Sequence, residues 1–206
     1  MSRLQIHPQN PQHRLIARAA DELKRGGVIV YPTDSSYAFG CALGDKAALD
    51  RIRQLRQTGI NHDFTLVCRD LSEIAIYARV DNSAYRLLKS LTPGPYTFIL
   101  QATREVPKRL QDPKRKSIGI RVPGSPIAQL LLEELGEPIM SSTLQLPGDE
   151  LPLTQPDDIE IQLGNRVELI VDGGAGGLEP TTVLDLSGGE VVIVRRGKGS
   201  VESFEA

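Results

Sequence analysis

The 206-residue chain contains no tryptophan, and aromatic residues make up only 4% of it. That scarcity leaves little for a base-stacking platform, which argues against single-strand recognition by stacked aromatics. Cys41 and Cys68 are the only cysteines, and the three histidines are scattered. They cannot supply a Cys/His zinc set at motif spacing, so no metal is expected. Two lone thiols and a start reading "SRLQIHPQNPQ", with no basic-then-apolar leader, point to buried, unmodified cysteines in a reducing cytoplasm. No apolar run approaches the ~20 residues of a membrane span, so no membrane partner is expected. GxGxxG and Walker-type loops are also missing, and "DGGAGG" from Asp172 to Gly177 reads as a flexible turn rather than a phosphate cradle.

What remains is an ordinary globular composition, 40% hydrophobic and 24% charged, long enough for one large domain with a substantial core. The net charge of -2 says little about partners, but its distribution says more. Seven Lys and Arg residues lie between Arg104 and Arg121 against only Glu105 and Asp112. This stretch is either a solvated connection or a phosphate-binding surface.

Helices and strands alternate along the chain. Leu15, Ile16, Ala19, Ala20 and Leu23 recur at helical spacing, with Gly26 and Gly27 as the stop. "DKAALDRIRQLR", "LSEIAIYA" and "SAYRLLKSL" read as further helices, and "SPIAQLLLEEL" as one capped by Ser125 with Pro126 at its first position. Strands are expected from Val28, and at "FTLVC", "TPGPYTFIL", "SIGIRVP" and "PIMSS". After a loop and a turn or two of helix at "DDIEIQLG", three more follow at "VELIVDGG", "TTVLDLS" and "EVVIVRR". Their short connections cannot all be parallel crossovers, so a mixed sheet flanked by helices is expected.

"VIVYPTDSSYAFGC" poses the functional question. Val28, Ile29, Val30 and Tyr31 suit a strand covered on both faces, and Pro32 ends the run. Thr33, Asp34, Ser35, Ser36 and Tyr37 then either satisfy a turn or form the polar wall of a pocket.

That stretch, followed by "PGPYT", "IGIRVP", "PIMSSTLQLPG", "TTVLDL" and "VVIVRRG", resembles in order the motifs of the YrdC/YciO family. The likeness runs from about Arg14 to Gly197. It implies an N-terminal extension over residues 1–13, a YrdC/YciO-like α/β domain over 14–200 and a tail over 201–206. It also implies an open twisted mixed sheet flanked by helices, with a basic concave face. Family members condense L-threonine, bicarbonate and ATP into threonylcarbamoyl-adenylate, the first intermediate of a tRNA modification, and are associated with double-stranded RNA or tRNA. ATP, with or without magnesium, is then the expected substrate, and L-threonine or a threonylcarbamoyl group the expected ligand.

Carried over residue by residue, the resemblance places Thr33, Asp34, Ser35, Tyr37, Arg121 and Thr143 at the small substrate. Arg56, Thr58, His62, Thr143, Gln145, Thr181 and Arg195 fall at the nucleotide, with Gly197 allowing close approach. Arg56, Lys108, Arg109, Lys114, Arg115 and Lys116 are the expected RNA contacts. No catalytic residue is assigned. Synthases carry K-x-R and S-x-N pairs where this chain has Arg56-x-Thr58 and Thr143-x-Gln145, and His62 stands for a third basic residue. Ala38 also replaces a usual glycine. These departures resemble the YciO branch, and leave three readings: threonylcarbamoyl chemistry with nucleotide and RNA, a non-catalytic double-stranded RNA-binding module, or a hydrolase removing the threonylcarbamoyl group.

Overall fold

Residues 2–58 and 64–204 are described by a computed structural model. The chain opens with strand β1 (Ser2–Gln5) and helix α1 (His13–Lys24), then a hairpin of β2 (Ile29–Pro32) and β3 (Tyr37–Ala42). Helix α2 (Lys46–Arg56), strand β4 (Thr65–Val67) and helices α3 (Leu71–Tyr77) and α4 (Asn82–Leu91) follow. Next come β5 (Tyr96–Gln101), β6 (Ser117–Arg121), α5 (Pro126–Leu135), β7 (Ile139–Thr143) and α6 (Pro156–Leu163). The last strands are β8 (Leu169–Asp172), β9 (Thr182–Asp185) and β10 (Val192–Arg195).

The ten strands of the described residues join one sheet in the order β1-β8-β2-β3-β7-β4-β6-β5-β9-β10. It is mixed, as expected: β8 runs parallel to β1 and β2, β4 to β6 and β5 to β9, while β5–β6, β3–β7 and β9–β10 are antiparallel. Helix ends follow the sequence signals. Ser125 Oγ accepts the Ala128 amide at 3.4 Å with Pro126 in the first turn, and Asp45 caps α2 through the Ala48 amide at 2.9 Å.

Two strands were not expected. Ser2–Gln5 lies in the stretch expected as an extension, yet pairs residue for residue with Leu169–Asp172 at the sheet edge. Its four residues carry too little apolar alternation to announce a strand, and Leu4 alone of them is buried. β3 was obscured by the hydroxyl run before it, although Tyr37, Phe39 and Cys41 alternate into the core.

The sheet has two faces of unequal cover. On one, Phe39, Leu66, Phe98, Ile120, Met140 and Leu184 meet Leu49, Ile52, Ile74, Leu88 and Ile159 of four helices. On the other, α1 and α5 seal Ile29, Tyr31, Leu169, Val171 and Ile139. That second layer ends at Val67 and Ala38, leaving the remaining strands of this face open. Both cysteines are free and buried, and burial pushes the Cys41 thiol up to about 12. Among the described residues no helix is long and apolar enough to cross a membrane.

Candidate functional site: a cationic cavity on the open sheet floor

Successive side chains of a strand point to opposite faces, so the residues opposite the core face the gap left by α1 and α5. Thr65 and Val67 of β4, Ser117, Gly119 and Arg121 of β6, and Thr97 and Ile99 of β5 do so, as do Ser141 and Thr143 of β7. Register aligns Ser141, Thr65, Gly119 and Ile99 in one row across four strands. The row floors a cavity of about 540 Å³. A Cβ on Gly119 would meet only ordinary contacts, Thr97 Cγ2 at 3.5 Å being the nearest. Glycine there keeps the floor low.

Arg121 closes one end. Its side chain is buried; Nη1 donates to Ser35 Oγ at 3.3 Å and Nη2 to the Asp34 carboxylate. The second Asp34 oxygen accepts the Gly124 amide at 2.9 Å. Asp34 therefore does not line the cavity but orients the guanidinium that does. Arg121 Nε is buried with no hydrogen-bond partner among the described residues, a donor left over in a cavity wall. Thr33 serves turn and wall together: its hydroxyl donates to Ser36 O at 2.7 Å and accepts the Ser35 amide at 3.1 Å, while the residue lines the cavity beside Ser35 and Ser36.

Arg56, in the last turn of α2, sits where a cation complements the helix carbonyls. Nη1 donates to Ser142 Oγ and Nε to Gln145 O at 3.4 Å. Gln145 spends its amide on the Asp149 and Glu150 carbonyls at 2.9 and 3.3 Å, shaping the loop beside the cavity. Arg195 reaches the site through a β-bulge between Ile193 and Arg195, so that it and Val194 both line the cavity. Its Nε and Nη2 donate to Thr181 O at 3.1 and 2.9 Å, and Thr181 Oγ1 lies 2.9 Å from Thr97 Oγ1. Burial lowers the pKa of Arg56 and Arg195, but a guanidinium remains charged at any physiological pH. With Arg115, paired to Asp185 at 2.8 Å, the lining holds, among the described residues, four arginines against Asp112 and Glu150.

The structure thus gathers Thr33, Ser35, Arg56, Arg121, Thr143, Gln145, Thr181, Arg195 and Arg115 around one cavity. Other expected site residues fall elsewhere. Tyr37 points into the core, where its hydroxyl donates to Gly174 O at 2.7 Å and accepts the Gly173 amide at 3.1 Å. Thr58 does not line the cavity, and its hydroxyl is buried with no hydrogen-bond partner among the described residues. His62 lies outside the described residues. Lys108, Arg109, Lys114 and Lys116 are exposed and stand off the cavity, with Arg109 donating to Gly44 O. "DGGAGG" is not a loose turn: a Cβ on Gly177 would stand 2.1 Å from Ser35 O, and one on Gly176 2.7 Å from the Tyr37 ring. Sequence reasoning also missed Lys198, which donates to the Asp34 carbonyl, and the floor hydroxyls of Thr65, Thr97, Ser117 and Ser141. Their signal is a hydroxyl on the strand positions that alternate with the core residues. Among the described residues no group of three or more His, Cys, Asp or Glu could hold a metal ion.

A Sua5/YciO/YrdC family model, described as "Telomere recombination", matches residues 21–197. The chain belongs to this family. Escherichia coli (strain K12) YciO, an uncharacterized protein, is 55% identical over 199 residues, 97% of each chain. Its solved structure superposes with a TM-score of 0.94 at 54% identity, covering 98% of both chains. The threonylcarbamoyl-AMP synthase of Coxiella burnetii (strain RSA 493 / Nine Mile phase I) is 28% identical over 172 residues, 82% of this chain and 91% of that one. P. abyssi Sua5 complexed with L-threonine shares the fold, with a TM-score of 0.91 at 23% identity over all of this chain and 60% of that longer one. Family membership makes this chain a relative of threonylcarbamoyl-AMP synthases.

Proposed function

We propose that the cavity binds a threonylcarbamoyl group joined to an adenine nucleotide, and that the protein works in threonylcarbamoyladenosine chemistry on tRNA. The observation that carries this reading is the gathering, in one cavity, of Arg121 with the Thr33 and Ser35 hydroxyls, Arg56 with Ser142, and Arg195 with Thr181. A carboxylate or carbamate suits a guanidinium fork, a threonine hydroxyl needs hydroxyl partners, and phosphate is met by further guanidinium groups. Leu151 and Leu178, both more than half exposed, border the same cavity and offer aliphatic surface to an adenine ring. The synthase and L-threonine-bound relatives support the same ligand class. Exposed Lys108, Arg109, Lys114, Arg115 and Lys116 supply fixed cations for a duplex RNA backbone, which is read by shape without aromatics.

Synthesis condenses L-threonine, bicarbonate and ATP and releases pyrophosphate. One observation favours hydrolytic removal instead. Thr58, at the place of the synthases' second cation, stands off the cavity, so a triphosphate loses one charge-assisted contact, about 1.5–3 kcal/mol. Incubating the protein with ATP, L-threonine, bicarbonate and pyrophosphatase, and separately with modified tRNA alone, separates the directions by mass. Threonylcarbamoyl-adenylate indicates synthesis, and loss of the modification indicates removal. RNA binding with neither reaction leaves a non-catalytic module and overturns the proposal.

A further inference from the structure

We infer that Arg3, on the N-terminal strand and outside the family-matched residues, is a positioning residue for the cavity, acting through Asp172 on the loop 173–180. Only its effect on ligand binding rests on the proposed function. Arg3 holds Asp172 through Nε at 3.0 Å and Nη2 at 2.7 Å, and its Nη1 reaches Asp157 at 2.6 Å and Glu160 at 3.0 Å on α6. Asp172 is buried, and its two oxygens face different tasks. Oδ2 takes Arg3, and Oδ1 accepts the Gly174 amide at 2.9 Å.

That amide belongs to a loop with little room to move. Tyr37 Oη grips Gly173 and Gly174, and the Gly176 amide donates to Thr154 O at 2.8 Å. Backbone lies so close that a Cβ on Gly173 would stand 2.8 Å from Pro32 and Ile127, and one on Gly177 2.1 Å from Ser35 O. The loop therefore presses on the turn that carries Thr33 and Ser35. Its far end supplies Leu178 and Pro180 to the cavity, and the next residue, Thr181, accepts from Arg195 through its carbonyl and hydroxyl oxygens. Two parts of the wall hang from one loop, and Asp172 is one of the anchors that hold it. Without Arg3, Asp172, Asp157 and Glu160 become neighbouring carboxylates with no other cation paired to them among the described residues. The buried one then turns toward water and releases Gly174.

Amide hydrogen exchange on the whole protein tests this directly. Arg3→Ala is expected to speed exchange at Gly173, Gly174 and Gly176 by about tenfold or more while β6 and β7 keep their protection. Arg3→Lys, which keeps the charge but not the fork, is expected to recover most of it. Calorimetric titration with L-threonine and with ATP is expected to show about tenfold weaker binding for Arg3→Ala and partial rescue by Arg3→Lys. Equal acceleration across all strands, or an unchanged loop, overturns the inference. Should the parent bind neither ligand, the proposed function falls while the exchange result still decides the relay. Should Arg3→Ala fail to fold, Asp172→Asn carries the exchange arm: it keeps an acceptor for Gly174 without the charge that Arg3 grips, so acceleration confined to the loop is expected, and an unaccelerated loop in it overturns the relay.

Discussion

Ile29, Tyr31, Leu169 and Val171 point from the sheet into the α1–α5 layer, whereas Thr65, Thr97, Ser117 and Arg121 point from the same face into an open cavity. The pleat is common to both halves. What differs is cover: where helices lie on the strands, period-two positions are apolar and contribute stability, and where they do not, the same positions display hydroxyls and guanidinium groups at fixed spacing. The two halves meet at β7, whose Ile139 lies under α5 while Ser141 and Thr143 line the cavity.

The largest expected contrast comes from one substitution on each side. Leu131→Ala, in the fully buried α5 seam, is expected to cost about 2–5 kcal/mol, read as a lower denaturant midpoint. Gly119→Val in the open floor is expected to change stability by no more than about 1 kcal/mol, because strands tolerate valine and its Cβ has space, while its methyls block ligand binding. Equal destabilisation by both would erase the distinction between cover and recognition.

Alkaline pH probes the boundary. Burial first of all pushes Tyr31 and Tyr37 up to about 12, from an ordinary value near 10. Their raised folded values mean that the contribution is complete below about pH 10 and is lost as pH rises toward 12, because the unfolded chain ionises first. Denaturant midpoints should therefore fall across that window, and Tyr31→Phe should flatten the fall. An unchanged slope in Tyr31→Phe would remove Tyr31 as its source.

The smallest expected effect sharpens the comparison at the cavity rim. Thr33→Val breaks the bonds to Ser36 O and the Ser35 amide, costing about 1 kcal/mol, and should weaken L-threonine binding while leaving ATP affinity unchanged. Parent-like titration with L-threonine would make Thr33 a turn residue alone.

Much of the fold could be read from the sequence because the signals were local. Ser125-Pro126, the apolar stripe of α1 and the β-branched run at Val28 each specify an element within a few residues. β1 could not be read in this way, since Ser2–Gln5 is a strand by virtue of pairing with β8. The candidate site divides along the same line. Arg56, Arg121 and Arg195 sit at element ends where motifs place them, whereas the Tyr37 orientation depends on β3 alternation and the placement of Thr58 off the cavity on how the chain leaves α2. The floor hydroxyls belong to four strands that are distant in sequence and become one surface only through register.

That register has a consequence for folding itself. A one-residue slip of β6 against β4 and β5 would drive Arg121 into the layer occupied by Leu66 and Phe98 and turn Ile118 and Ile120 outward. A guanidinium torn from Asp34 and buried among hydrocarbons is far costlier than a misplaced serine. The row of polar groups on the open face thus works as a checksum on strand alignment, rejecting misregistered chains before any ligand is present.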